Sequence, residues 1–209
     1  ACVNPFFFGE AVPFVLPDLA PNCLALFLGC HGLEQSGSVW CEPCIDDPER
    51  ARFELDSSNF YWDFSWRLGE EMLRWGAGKF LTAFPDFIEG LDTLAAMRGS
   101  QEVLMDMLVR PEWVQASLKT ITDRYFTCYD AFYERLRDET GGSIYWAWAP
   151  GRMAKLQCDF SAMISPAMFG EFMAPVLRDM TRRFDHCMYH WDGPGALPHL
   201  DHLLSLPDL

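Results

Sequence analysis

Short apolar segments alternate with amphipathic helical patterns along most of this chain, and several of these segments break into polar, Gly- and Pro-rich loops. The clearest is Met188-Tyr189-His190-Trp191-Asp192-Gly193-Pro194-Gly195. Apolar and aromatic residues run into a His and an Asp, and a tight loop follows at once. That pattern predicts a buried strand whose end carries polar groups into a turn. Leu156-Gln157-Cys158-Asp159 repeats it, followed by a helix that Ser165-Pro166 opens. The longest helix is expected to start at Pro111, since Pro suits a first helical turn. Its apolar stripe is Leu118, Ile121, Tyr125, Cys128, Phe132 and Leu136, at spacings of three and four.

Other elements follow from the same reading. Cys23 to Cys30 is helix or strand by pattern alone. Residues 1–22 read as a loop-like lead-in, and Ser38-Val39-Trp40 opens a strand. Asp56 or Ser57 is the expected N-cap of a helix to about Trp75. Lys79–Phe84, Ile144–Trp148 and Cys187–His190 read as strands, and Pro198–Leu204 starts a final helix. Pro175 should kink the helix after Ser165, because it removes a backbone donor. No hairpin signal separates the strands. The order therefore predicts an α/β fold with a parallel sheet covered by helices, in a single domain over residues 1–209.

Composition narrows the functional classes. Half of the 209 residues are apolar and 15% are aromatic, enough for a substantial core. The net charge of −14 leaves little material for the basic face of a nucleic-acid binder, and disfavours anionic membranes. Eight cysteines are too few for a disulfide scaffold in a chain of this size and fit a reducing cytoplasm. A small-molecule substrate is the expected partner. Ala1 in first place, and the stop at Leu206-Pro207-Asp208-Leu209, suggest further chain on either side.

Candidate chemistry gathers at the strand ends. In an extended strand His190 and Asp192 would share a side. They could ligate a metal, pass a proton or orient one another. The alternative is an Asp-Gly turn beside a hydrogen-bonded core histidine. Cys158 offers a thiolate for zinc and Asp159 an acid or base. Equally, they could be a buried Cys and a turn-capping Asp. Arg152 and Lys155, flanking Pro150-Gly151, could neutralise a ligand's carboxylate or phosphate, or sit in a solvated loop. Trp148 and Tyr189 could wall a flat ligand, or belong to the core with Tyr145, Trp146 and Trp191. Cys41-Glu42-Pro43-Cys44 has the spacing of redox and zinc pairs, yet no second pair accompanies it. The chain has no phosphate-binding glycine loop and no Gly-x-Ser-x-Gly elbow.

Three segments together resemble the uroporphyrinogen decarboxylase superfamily. They are Phe84-Pro85-Asp86 with Gly90 to Gly99, Ile164-Ser165-Pro166-Ala167-Met168-Phe169 with Phe172 and Pro175, and Tyr189-His190-Trp191-Asp192-Gly193. The resemblance covers the chain from about residue 20 onward. It implies a (β/α)₈ TIM-type barrel, here incomplete, with its site at the C-terminal strand ends. It also implies one of two chemistries. The cobamide-dependent methyltransferases hold a thiol on zinc through a His-x-Cys pair and a later Cys. This chain has His190-x-Asp192, which changes the charge and softness of such a site. The decarboxylases of porphyrin biosynthesis need no metal or cofactor and carry an Arg-rich, Gly-Arg-Tyr segment, which this sequence lacks. The leading expectation is methyl transfer to a thiol from a cobamide on a corrinoid protein, with zinc at His190, Asp192 and Cys158. A decarboxylase using Asp159, His190 and Arg152 is the second reading, and a non-catalytic small-molecule binding barrel the third.

Overall fold

The computed structural model describes residues 8–9, 11–35, 37–207 and 209; Cys2 lies outside them. The elements in chain order are β1 (Phe14–Val15), α1 (Cys23–Phe27), β2 (His31–Gln35), β3 (Ser38–Glu42), α2 (Phe60–Gly76), β4 (Leu81–Thr82), α3 (Gly90–Arg98), α4 (Ser100–Val109), α5 (Pro111–Leu136), β5 (Ser143–Tyr145), β6 (Ala147–Ala149), β7 (Met153–Gln157), α6 (Pro166–Met168), α7 (Ala174–Thr181), β8 (His186–His190) and α8 (Leu200–Leu204).

Two strand pairs are parallel, β1 with β4 and β7 with β8. Between them the Phe84 N–H donates to the Ile144 carbonyl at 3.1 Å, and the Met153 N–H donates to Ser143 Oγ at 2.9 Å. These bonds set β5 beside both the chain leaving β4 and the start of β7. Helices stand between β1 and β2, β3 and β4, β4 and β5, and β7 and β8.

Two hairpins correct that pattern. β2 and β3 pair antiparallel from His31↔Glu42 to Gln35↔Ser38, and Gly37 takes φ +82° where the chain reverses. Ile144–Trp148 is not one strand. The chain turns at Trp146, which has φ +63°, and β6 runs back along β5 with Ser143 opposite Ala149. A non-glycine residue rarely takes that conformation, so composition gave no warning of this turn.

Helix boundaries follow local chemistry. The α2 cap is Asn59, whose Oδ1 accepts from the Trp62 N–H at 3.0 Å, rather than Asp56 or Ser57. Asp56 instead accepts from both the backbone N–H and the hydroxyl of Ser58, each at 2.8 Å, and so closes the turn before the helix. Ser165 caps α6 through the Met168 N–H. A π-helical turn, Phe169–Met173, separates α6 from α7. Pro175 follows that π-helical turn directly, inside a continuous helical run from Pro166 to Thr181 whose hydrogen-bond pattern changes just before it.

The core is aromatic. All six residues of the predicted α5 stripe are buried. Phe132 lies within 6.5 Å, centroid to centroid, of Phe27, Trp62, Trp66, Phe84 and Phe87. Phe84 stacks on Tyr129 at 4.6 Å. This cluster ties α1, α2 and α5 to the segment leaving β4, and so places that segment against β5 and β7. Among the described residues no helix is long and apolar enough to cross a membrane.

Phe132→Ala should destabilise the fold by about 3–5 kcal/mol, as aromatic-to-Ala changes at packed core sites do. Chemical unfolding of wild type and variant checks this. A difference below about 1 kcal/mol would show that the cluster does not organise the core.

Candidate functional site

A buried polar network forms where the segment after β4, the end of β7 and the turn at Trp146 meet. Lys155 is its centre. Lys155 and Gln157 are two apart on β7 and point the same way. The Lys155 side chain is 0% exposed. Its Nζ lies 2.7 Å from Asp86 Oδ1 and donates to Gln157 Oε1 at 2.6 Å. The ammonium also sits 4.6 Å from the Trp146 ring centroid and 5.6 Å from that of Tyr145, so an aromatic face replaces part of its hydration. The network then runs outward. Gln157 Nε2 donates to Asp159 Oδ2 at 3.2 Å, and the Asp159 side chain reaches solvent.

Two more buried carboxylates fix the backbone here. Glu89 Oε1 accepts from the Gln157 N–H at 3.0 Å, while its Oε2 has no hydrogen-bond partner among the described residues. Asp92 accepts from the Asp159 and Phe160 N–H groups, both at 2.8 Å. Gly90 permits this arrangement. Its φ is +58°, and a Cβ there would stand 2.7 Å from Met173 Sδ. Burial raises the Glu89 carboxyl to about 8, against the opposing pull of the Lys155 ammonium and the Gln157 N–H. Burial raises Asp92 to about 6, against the two N–H groups it accepts from.

The network opens on a cavity of about 430 Å³, lined by Asp92, Asp159, Trp40, Cys41, Phe160 and Met163 among others. A larger groove of about 640 Å³ runs along α5 and α7 past Leu118, Phe172 and Val176. It shares no lining residue with the network.

The expected site residues divide between the two ends of the strands. His190 is the last residue of β8, in register with Gln157. Its half-buried ring stands 4.9 Å from that of Trp146, edge to face. Asp192 lies beyond the strand end and is exposed, so the shared-side argument for the pair does not apply to it. Cys158 is 3% exposed, and burial pushes its thiol well above the ordinary range. Tyr189 is half-buried within β8, opposite Leu156, and burial also raises its phenol.

Arg152 and Trp148 are elsewhere. Arg152 precedes β7, roughly five residues or ~16 Å from its C-terminal end. It pairs with Asp130 and lies 4.8 Å from the Tyr129 ring centroid. Trp148 Nε1 donates to Asp138 Oδ2 at 2.8 Å, at the α5–β5 connection. Lys155 is not a loop residue but the buried hub. Among the described residues no group of three or more His, Cys, Asp or Glu is placed to hold a metal ion.

Sequence reading passed over Asp86, Glu89, Asp92, Gln157 and Trp146 as site residues. The signal available was the crowding of Asp86, Glu89 and Asp92 around the start of α3, inside an otherwise apolar run.

No family model matches the chain, and no curated protein matches it. Among solved structures it is similar to a methyltransferase from Methanosarcina mazei, with a TM-score of 0.64 and 13% sequence identity over 94% of this chain. The match covers 55% of that protein, so the chain spans about half its length. The likeness is one of fold.

The raised carboxyls make stability fall as pH rises. Between the ordinary Glu value of 4.5 and the folded value of about 8, the folded chain binds the Glu89 proton and the unfolded chain does not. The slope of stability against pH is then negative. Asp92 adds the same sign between 3.8 and about 6. The melting midpoint should drop from pH 5 to pH 8, and Glu89→Gln should flatten the upper part of that fall. An unchanged slope in the variant would show that Glu89 is ionised when buried.

Proposed function

We propose that this chain belongs to a (β/α)₈ barrel of the uroporphyrinogen decarboxylase type and transfers a methyl group to a thiol, with a corrinoid protein as methyl donor. The observation that carries the reading is the fold shared with a methyltransferase. It is supported by the polar network and cavity beyond the ends of β4 and β7, where such barrels do their chemistry.

Asp159 has the reactive position. It faces the cavity, and the Gln157 amide fixes one of its oxygens. Asp159 would take the proton of a thiol seated in the cavity, and a methyl-corrinoid docked there would supply the methyl group. Asp92 holds the Asp159 backbone from below. Trp40, Phe160 and Met163 supply apolar surface to the cavity wall.

The zinc of the resemblance does not fit the described residues. His190 supplies one donor, Asp192 stands exposed beyond the strand end and Cys158 is buried. No step is assigned to a metal. Arg152, proposed above as a handle for substrate carboxylates, is committed to Asp130 away from the cavity, which favours methyl transfer over decarboxylation.

The test is to incubate the chain with methylcobalamin and small alkyl thiols and follow thioether formation. Asp159→Asn should lower kcat/KM by about 10²–10⁴-fold, the range of a lost general base. Absence of thioether, with carbon dioxide released from a polycarboxylated tetrapyrrole, would replace this reading with the decarboxylase one.

A further inference from the structure

Three cysteines meet at the base of the β2–β3 hairpin. Cys30 follows α1 and is 2% exposed. Its Sγ lies 3.3 Å from Cys44 Sγ and 3.8 Å from the Ala96 carbonyl. Cys41, at the end of β3, is half-buried, and its thiol donates to the Asn22 carbonyl at 3.7 Å. Cys44 is exposed, and its backbone N–H donates to the Met97 carbonyl at 2.8 Å. All three are free thiols. The Cys41-Glu42-Pro43-Cys44 spacing thus gains the third member that sequence alone did not provide.

We propose that Cys30 and Cys44 form a redox site that closes to a disulfide when a peroxide reaches the exposed Cys44 sulfur. The electronic setting is suited to it. The close sulfur–sulfur contacts of Cys30 lower the Cys41 and Cys44 thiols, and the same contacts together with burial raise Cys30. One sulfur is therefore solvent-facing with a lowered thiol, and the other is a buried partner 3.3 Å away, within van der Waals contact. A thiolate beside a resolving thiol is the arrangement that oxidises selectively.

The chemistry balances with a peroxide as the two-electron oxidant. The Cys44 thiolate attacks one oxygen of hydrogen peroxide, the O–O bond breaks, and Cys44 becomes a sulfenic acid. The departing hydroxide takes the proton that Cys44 lost and leaves as water. The Cys30 sulfur then attacks the Cys44 sulfur, the S–O bond breaks, and the hydroxyl leaves with the Cys30 proton as a second water. Two thiols are oxidised to one disulfide and the peroxide is reduced to two waters.

The position gives the bond a consequence. Cys41 and Trp40 line the 430 Å³ cavity together with Asp92 and Asp159, and Cys44 is hydrogen-bonded to α3, the helix that carries Asp92. A Cys30–Cys44 link would pin the hairpin base beside that cavity. The redox reading stands whether or not the cavity performs methyl transfer.

The test uses the fully reduced 209-residue chain, titrated with hydrogen peroxide and followed by maleimide tagging and peptide mapping. Two of the eight thiols should be lost, one Cys30–Cys44 linked peptide should form, and dithiothreitol should restore both thiols. Cys44 should react about tenfold faster than Cys187. In Cys30→Ala, Cys44 should accumulate as a sulfenic acid that dimedone captures. Cys41→Ser should still form the link. Loss of Cys44 no faster than Cys187, a Cys41–Cys44 or Cys30–Cys41 link instead, or one tightly held zinc shielding all three thiols would overturn the proposal.

Discussion

A buried ammonium dictates how the candidate site is built. Taking Lys155 out of water costs several kcal/mol unless the interior returns what the solvent supplied. Here the return comes from three directions: the Asp86 carboxylate, the Gln157 amide oxygen and the faces of Trp146 and Tyr145. Each partner lies on a different stretch of chain. The segment after β4, the β5–β6 turn and β7 itself are therefore held in one arrangement. The positive φ of Trp146 fits this account. A strained backbone persists where its surroundings over-determine it, and the Trp146 ring is gripped between Lys155 and His190.

One cation cannot balance three buried carboxylates. Asp86 takes the direct contact, and Glu89 and Asp92 are left to backbone N–H groups and to protons. The consequence is an ordered gradient from the interior outward. Glu89 is the deepest and the most strongly raised, Asp92 is intermediate, and Asp159 reaches the cavity with an amide at its back. Burial thus favours the protonated form most strongly at Glu89, while Asp159 stands where solvent reaches it.

The regular parts of the molecule were legible because they repeat. The α5 stripe, the Pro111 and Ser165 helix starts, and the strands around Leu156 and Cys187 declare themselves through spacing and capping chemistry. The site was less legible because its residues become partners only in three dimensions. A lysine beside Pro150-Gly151 reads as a solvated loop residue until Asp86 is brought to it. Arg152 and Trp148 looked like strand-end groups, but the β5–β6 turn at Trp146 places them away from the cavity. His190 was found at a strand end as expected, yet the strand stops there and leaves Asp192 outside. The Cys41–Cys44 pair gained meaning only when α1 delivered Cys30.

The claim on which the rest depends is that Lys155 and Asp86 act as one unit. A double-mutant cycle of Lys155→Met, Asp86→Leu and the pair, read by chemical unfolding, measures it directly. Each single change should cost about 3–5 kcal/mol, because it strands the other charge in the interior. The double variant should be far less damaged than the sum, with a coupling of about 2 kcal/mol or more. Additive losses would mean that the two groups are solvated independently, and that the network does not hold the strand ends together.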